Sequence, residues 1–234
     1  MHRYHFLLAA LLPIAFLSCQ KMVDPENPEE EQPTPKTYTC EPIDLGLSVK
    51  WGRTNLGAVS ANEPGDYFAW GETETKDIYS WRVYRWCDGK MQALTKYNTF
   101  KPYGTVDNLL ILDGADDVAK VLLGEGWRMP TSREIDELIA TQKDPSFRWE
   151  WKKLKDHYGW SVTNLESGNS IFLPAGGLMN ANVLQDEGTF GFYWSCSLEK
   201  ALPENAWCLY MSNTIAVKDD SFRCYGLSIR PVLP

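Results

Sequence analysis

Short runs rich in apolar and aromatic residues, some of which alternate with polar residues, recur along the chain between glycine, asparagine and aspartate residues. Alternation places successive side chains on opposite faces of an extended backbone, and the intervening residues favour turns. The pattern predicts short β-strands at Ser48–Trp51, Asp66–Gly71, Phe147–Trp151, Gly159–Thr163, Ser170–Pro174, Phe192–Ser197, Ala206–Met211 and Leu227–Val232.

One segment with a helical period runs from Asp116 to Leu123. Val118, Val121 and Leu122 would share one face of this helix, and Gly124 would end it. We expect Asp116 to cap its first turn, because a carboxylate can accept a hydrogen bond from a free backbone N–H there.

A second helix is predicted to start at Thr131. Thr131 and Glu134 have the spacing of a capping box, in which each side chain accepts a hydrogen bond from the other residue's backbone N–H. Ile135, Leu138 and Ile139 would form the buried stripe. Two short helices among short antiparallel strands, with no strand–helix–strand alternation, indicate an α+β fold.

The N-terminus has the features of a lipoprotein signal peptide over residues 1–18. A hydrophobic run from Phe6 to Leu17 follows Arg3 and leads to Phe-Leu-Ser-Cys, a lipobox whose Cys19 would be cleaved and acylated. The run is too short to span a bilayer, which takes about 20 residues. The alternative is an ordinary secretory signal in which Cys19 is incidental.

Residues 19–39 form a predicted linker that is rich in proline and acidic residues. Such a segment can bury little, so we expect it to hold a folded domain away from the membrane. Acids after the acylated cysteine loosely match the surface-export signals of Bacteroidetes lipoproteins. We therefore expect an outer-membrane lipoprotein at the cell surface, or alternatively one that faces the periplasm.

Residues 40–234 are long enough for a single domain with a sizeable core. The formal net charge of the chain is −8, and it contains no basic run. Nucleic acid is therefore not an expected partner, and the surface would not be attracted to anionic lipid headgroups.

Seven strings along the domain carry a family resemblance: DLGLSVKW, GDYFAWGE, LTKYN, GWRMPT, GNSIFLPAGG, GFYWSCS and YGLSIRPV. In this order they resemble the Fibrobacter succinogenes major paralogous domain, found in exported Bacteroidetes proteins and lipoproteins. The resemblance implies a C-type-lectin-like fold, related to that of the formylglycine-generating enzyme. The resemblance implies that two sets of residues belong to the scaffold, namely Arg128–Thr131 with Glu134, and Gly226–Arg230. It implies no defined activity.

Candidates for catalysis are few. His157 would be the only histidine of the mature protein, in a predicted turn, so a histidine-based triad or zinc site has little support. Carboxylates that could act as a glycosidase pair are Asp113, Asp116, Asp117, Glu72 and Glu74, although helix capping by Asp116 and solvated surface for the rest explain them better. We predict no catalytic residues, no metal and no cofactor.

The cysteines leave pairing open. The chain has six, and acylation of Cys19 leaves Cys40, Cys87, Cys196, Cys208 and Cys224, so at least one cannot pair within the molecule. A Cys196–Cys208 disulfide between neighbouring strands is one possibility. Cys208 and Cys224 do not sit in the motif that formylglycine generation requires.

Tryptophan is abundant, with ten residues in the chain. Those in the recurring strings are expected in the core: Trp51, Trp70, Trp127, Trp194 and Trp207. Trp149 and Trp151 alternate with Glu150 and would share a strand face, which we also expect to be buried. Trp81 and Trp86, in a predicted loop, are better candidates for exposure to a sugar.

The domain is expected to bind a glycan or a protein without catalysis. The predicted binding loops are Leu178–Thr189, Leu198–Asn205 and Ser212–Arg223, which should gather on one side of the domain. The residues expected to contact a ligand are Asn180, Asn182, Asn205, Asn213, Phe222 and Arg223. Two alternatives are a structural subunit of a surface appendage and a weak glycan-processing enzyme.

Overall fold

Short β-strands make up most of the regular structure in the computed structural model, which describes residues 36–234. The strands are β1 (Pro42–Ile43), β2 (Lys50–Gly52), β3 (Tyr67–Phe68), β4 (Phe147–Leu154), β5 (His157–Asn164), β6 (Ser170–Pro174), β7 (Leu178–Asn180), β8 (Val183–Gln185), β9 (Gly191–Leu198), β10 (Asn205–Met211), β11 (Ala216–Phe222), β12 (Leu227–Ser228) and β13 (Val232–Leu233). The helices are α1 (Val118–Leu123) and α2 (Ser132–Ala140). The predicted signal peptide, Cys19 and the predicted linker up to residue 35 lie outside the described residues.

The strands form four small sheets. The largest has the order β11–β10–β9–β12–β3, and three-stranded sheets have the orders β1–β2–β13 and β4–β5–β6, beside the hairpin β7–β8. Neighbouring strands are antiparallel except β12 against β9. This is the predicted α+β architecture of short antiparallel strands with two short helices.

The predicted strands are present, with shifted ends. Ser170–Pro174 coincides with β6, and β4, β5, β9 and β10 contain the strands predicted around them. The run Leu227–Val232 divides into β12 and β13, and Pro231 lies between them without an N–H to donate. In the described region, no helix has the length and apolar character needed to cross a bilayer.

Helix α1 differs from the prediction in its cap and its buried face. Asp117, not Asp116, is the N-cap, and its side chain accepts from the N–H groups of Ala119 and Lys120. Val118 and Ala119 are buried, whereas Val121 is exposed. The expectation for Asp116 and Val121 was therefore wrong, because the face that packs on the core consists of Val118 and Ala119 and, one turn later, the partly buried Leu122 and Leu123.

Helix α2 begins as predicted. Thr131 and Glu134 form the capping box, with Thr131 Oγ1 accepting from Glu134 N–H at 3.2 Å and Glu134 Oε2 accepting from Thr131 N–H at 2.8 Å. Both terminal nitrogens of Arg128 donate hydrogen bonds to the same carboxylate, at 2.8 and 2.5 Å. Burial opposes ionisation of Glu134, but the bonds from Arg128 and Thr131 outweigh it and lower the pKa of Glu134.

The core lies between the sheets and α2. Ile135 and Leu138 pack in one cluster with Val162 and Leu173 of the β4–β5–β6 sheet and with Leu209 of β10. Trp51, Trp70 and Trp194 are completely buried, as predicted, while Trp127 and Trp207 are only half-buried. The β4–β5 hairpin is thus fixed to the rest of the domain through its inner face.

Candidate ligand-binding site

A row of aromatic rings runs along one face of the β4–β5 hairpin. Trp149 and Trp151 alternate on β4, and Trp151 lies opposite Trp160 on β5. Trp160 makes edge contacts with Trp149 at 5.8 Å and with Trp151 at 5.7 Å, between ring centroids. Trp151 and Tyr158 are nearly parallel, with an interplanar angle of 9° and centroids 6.5 Å apart. The row therefore continues towards the hairpin tip.

The inner part of this row is anchored by hydrogen bonds. Trp149 Nε1 donates to Thr141 Oγ1, and Trp160 Nε1 donates to the carbonyl oxygen of Ser212, both at 2.8 Å. Tyr158, at the outer end, is 45% exposed. The same face that packs into the core thus becomes a solvent-facing aromatic surface near the tip.

The outer rings line a cleft of about 320 Å³, which we call the aromatic cleft. It is lined by Trp151, Tyr158, Gly188, Thr189 and Asn213. Three segments build it: the β4–β5 hairpin, the chain after β8 and the turn between β10 and β11. The volume lies at the lower end of the range for small-molecule sites, and the lining combines rings with a few polar groups and no charged residue.

The β10–β11 turn holds Asn213 at the cleft. Ser212 N–H donates to the carbonyl of Ile215 at 2.8 Å, and Thr214 N–H donates to Ser212 Oγ at 3.2 Å. Because Trp160 also bonds to the Ser212 carbonyl, the aromatic row and the turn are directly linked. Asn213 is exposed, so its amide is free to bond with a ligand.

Gly188 forms the opposite wall without a side chain. Its φ of 76° favours glycine, and a Cβ placed there would meet no atom within 4 Å, so the backbone borders open space. Gly188 N–H donates to the Ala175 carbonyl at 2.7 Å, which fixes the segment. Beside the cleft, His157 Nε2 lies 3.6 Å from Glu187 Oε1.

The predicted binding loops do not gather on one side. Because β10 begins at Asn205 and ends at Met211, the Leu198–Asn205 loop and the turn after β10 lie at opposite ends of one strand. The segment Ser212–Arg223 is mostly strand β11, and Leu178–Thr189 contains the β7–β8 hairpin. The expectation of a common loop surface was therefore wrong, and only the segments at one end of β10 meet at the aromatic cleft.

Asn213 lies apart from the other predicted ligand residues. Asn213 lines the aromatic cleft, whereas Asn180 and Asn182 lie at the tip of the β7–β8 hairpin, and Asn205 faces Phe222 at the other end of the β10–β11 pair. The Asn205 amide donates to the Asp220 carboxylate.

Phe222 is part of a second aromatic surface. It makes edge contacts with Trp81 at 6.1 Å and Tyr225 at 5.6 Å, and it is itself exposed. Trp81 is half-buried, as is Trp86, whose Nε1 donates to the Gly71 carbonyl at 2.8 Å. Trp86 is thus a packed residue, while Trp81 and Phe222 remain within reach of a partner.

The prediction that Arg223 contacts a ligand was wrong, because its side chain is fully buried and cannot reach one. Its guanidinium donates to the carbonyls of Tyr97 and Pro203, both at 2.9 Å, and to Tyr84 Oη and the Lys96 carbonyl, both at 3.0 Å. It joins the end of β11 to two distant loops and belongs to the scaffold.

The carboxylates considered for glycosidase chemistry are mostly engaged. Lys96 Nζ lies 2.5 Å from Asp113 and 2.8 Å from Asp116. Asp117 caps α1 and also accepts from Met129 N–H; burial raises its pKa against these bonds. Glu72 pairs with Lys76 at 2.6 Å and shares a small cleft with the exposed Glu74.

The disulfide considered in the sequence analysis is absent. All five cysteines from Cys40 onward are free thiols, including Cys196 and Cys208. Cys208 lies opposite Trp194, and a register shift separates that pair from Ala206 opposite Leu198. Glu204 accepts from Tyr103 Oη at 2.8 Å. Within residues 36–234, no group of three acidic, histidine or cysteine residues could hold a metal ion.

Trp151 and Tyr158 are functional candidates that the sequence analysis missed. Trp151 was expected to be buried with Trp149, and Tyr158 was not singled out. Their positions near the hairpin turn could have indicated this role, because the alternating pattern continues there beyond the part of the hairpin that packs on the core. Comparisons with protein-family models, with curated proteins and with solved structures found no match.

Proposed function

We propose that this domain binds glycans and that the aromatic cleft is its binding site. The observation that carries the proposal is the nearly parallel pair Trp151 and Tyr158, in a cleft whose described lining residues carry no charge. The apolar faces of sugar rings stack on aromatic rings, and sugar hydroxyls need oriented polar partners. Asn213, Thr189 and the backbone at Gly188 supply those partners.

The fold and family proposals follow the sequence resemblance. A C-type-lectin-like domain of the major paralogous family is supported by the α+β arrangement of short antiparallel strands and two short helices. Scaffold roles for Arg128, Thr131 and Arg230 are supported by their bonding within the domain. None of the described residues that line the aromatic cleft is charged, which is why we assign it a neutral sugar.

The proposed setting is the bacterial envelope. Acylation at Cys19 would anchor the protein in the outer membrane, with the domain at the cell surface and the acidic linker as a spacer. Binding without catalysis is supported by the ion pairs that engage Asp113, Asp116 and Glu72 with lysine side chains.

A glycan array tests the binding proposal. The chain should retain a neutral oligosaccharide, and Trp151→Ala should weaken that binding about tenfold, because a stacking ring is lost. Trp81→Ala is the matched control, since Trp81 is a half-buried aromatic residue at the second surface. Equal binding by wild type and Trp151→Ala, with loss in Trp81→Ala, would move the site to that second surface.

Cell fractionation tests the anchor. Cys19→Ala should leave the protein uncleaved or release it from the membrane fraction, because the acyl chains attach through that sulfur. A Ser18→Ala variant serves as the control that retains the thiol. Mature Cys19→Ala protein that still fractionates with the outer membrane would contradict the lipid anchor.

A structural role in a surface appendage is the second candidate, and one edge of the fold favours it. Leu109, Leu110 and Ile111 are exposed beside the end of β9, where Leu110 accepts from Leu198 N–H at 2.8 Å. Within the described residues, the N–H and carbonyl of Ile111 have no partner and could pair with a strand of another subunit. Ile111→Lys would block such pairing and should leave glycan binding intact.

A further inference from the structure

The opposite face of the β4–β5–β6 sheet forms a second cleft, of about 380 Å³. Successive residues of a strand point to opposite faces, so Lys152 lies on the other side of β4 from Trp151. Lys152 and Ser161 line this cleft together with Asn169, Ser170 and Arg53, which lies just after β2. We call it the cationic cleft.

Among the described residues that line the cleft, Arg53 and Lys152 alone are charged, and both are positive. This local charge contrasts with the net charge of −8 on the whole chain. A concentrated positive charge inside a cleft attracts anionic ligands, and the planar fork of arginine fits a carboxylate or sulfate group.

The carboxylates that pair with these cations would compete only weakly with an anionic ligand. Arg53 lies 3.0 Å from Glu41, and Lys152 lies 3.3 Å from Glu150, and all four side chains are largely solvent-exposed. Exposed ion pairs of this kind contribute little stability, because water and salt screen them. An anionic ligand can therefore engage both cations without breaking a strong interaction.

The floor of the cleft offers a free polar group. Ser161 is only 8% exposed, yet its hydroxyl makes no hydrogen bond within residues 36–234. Asn169 donates its amide to the Asp44 carbonyl at 2.8 Å, which fixes the orientation of its side chain beside Ser161. A hydroxyl without a protein partner can donate to or accept from a polar ligand in the cleft.

We propose that the cationic cleft binds an acidic saccharide, with its carboxylate or sulfate group between Arg53 and Lys152 and a sugar hydroxyl on Ser161. The lining combines hydroxyl and amide side chains with apolar residues such as Ile43, Ile171 and Phe172, which suits a saccharide with polar edges and an apolar ring face. This site is separate from the aromatic cleft and does not depend on it.

The test is calorimetric titration of the full chain in detergent with four probes: trigalacturonate, a sulfated disaccharide, neutral trigalactose and inorganic sulfate. At least one acidic saccharide should bind, and its affinity should fall as salt is raised. The double variant Arg53→Gln/Lys152→Gln should lose about tenfold in affinity, as expected for hydrogen bonds to charged groups. The tighter of the two acidic probes identifies the acidic group.

Lys153→Gln is the matched control, because it removes the same charge from the adjacent residue, which does not line the cleft. It should bind the acidic saccharide within about twofold of wild type. Ser161→Ala, which leaves the charges in place, should also weaken binding. Trp151→Ala should not, and this separates the cationic cleft from the aromatic cleft.

Four results would overturn the proposal. They are no binding of either acidic saccharide, equal loss in Lys153→Gln and in the double variant, loss in Trp151→Ala as large as in the double variant, and binding of inorganic sulfate alone. The last result would mean an adventitious ion only.

Discussion

Two buried arginines act as clamps between distant segments. Arg230 donates to Asn55 Oδ1 at 2.8 Å and to the carbonyls of Gly52, Arg53 and Phe172 at 2.6–2.9 Å. Burial disfavours its charge and lowers the pKa of Arg230, while the carbonyl dipoles offset part of that cost. Arg223 is bonded in the same manner, which makes both residues structural.

Arg223→Met should therefore destabilise the domain strongly. Methionine has a similar length but leaves the carbonyls of Lys96, Tyr97 and Pro203 without a donor. Each buried unsatisfied group costs about 1–3 kcal/mol, so we expect a loss of about 3 kcal/mol or more in the free energy of unfolding, measured in urea.

Arg82→Met is the control for this substitution, since Arg82 is exposed. It should change the free energy of unfolding by less than about 0.5 kcal/mol. A loss for Arg223→Met as small as that of Arg82→Met would show that the guanidinium does not clamp the loops.

At the scale of elements, the β4–β5 hairpin is the feature that connects core and site. Its tryptophans are fixed at the inner end by α2 and the following turn, through Thr141, and in the middle by the β10–β11 turn, through Ser212. The first contact stabilises the hairpin, whereas the second also positions Asn213 at the aromatic cleft.

Trp160→Phe separates these two roles. It keeps an aromatic ring but removes the bond to the Ser212 carbonyl, so the turn that carries Asn213 should loosen. We expect amide hydrogen exchange to speed up at Asn213–Ile215 and glycan affinity to fall roughly threefold to tenfold, the equivalent of one hydrogen bond.

Trp149→Phe is the matched control, because it also removes one indole hydrogen bond, the one to Thr141. Both variants should lose about 1 kcal/mol of stability, but Trp149→Phe should bind glycan as wild type does. Equal affinity losses in the two variants would mean that Trp160 acts only through general stability.

At the scale of the whole molecule, we expect the buried thiols to make the domain less stable at alkaline pH. Burial raises the pKa of Cys196 and of Cys224 from the ordinary value of 9.0 to about 12, and it raises that of Cys208 well above 9.0. Above pH 9 the unfolded chain releases these protons while the folded domain retains them. The contribution of these thiols to the free energy of unfolding is therefore fully present below pH 9 and is lost as pH rises towards 12.

The free energy of unfolding, measured with a reducing agent, should fall between pH 9 and pH 11. Each buried thiol can contribute up to about 1.4 kcal/mol per pH unit to the slope. Cys196→Ala and Cys224→Ala should each start less stable because of the cavity, but should show a shallower slope. Slopes identical to that of wild type would rule out thiol ionisation as the cause.

Local features were predictable because local interactions determine them. A short apolar run bounded by turn residues located β6 to the residue, and the spacing of Thr131 and Glu134 located the start of α2. In both cases the deciding contacts lie within one turn or one strand, so the sequence contains the necessary information. The same holds for the α+β class, which follows from the kinds and lengths of the elements.

Positions in the site were not predictable in this way. Asn213 and Arg223 belong to the same polar segment, yet one lines a cleft and the other is fully buried. Trp149 and Trp151 share one face, yet only Trp151 reaches the aromatic cleft. Which partner a side chain meets depends on segments far away in the chain, such as Ser212 against Trp160, and on the end of β10 at which each loop emerges. Only the tertiary packing decides those distances, because burial and charge pairing depend on where the elements meet.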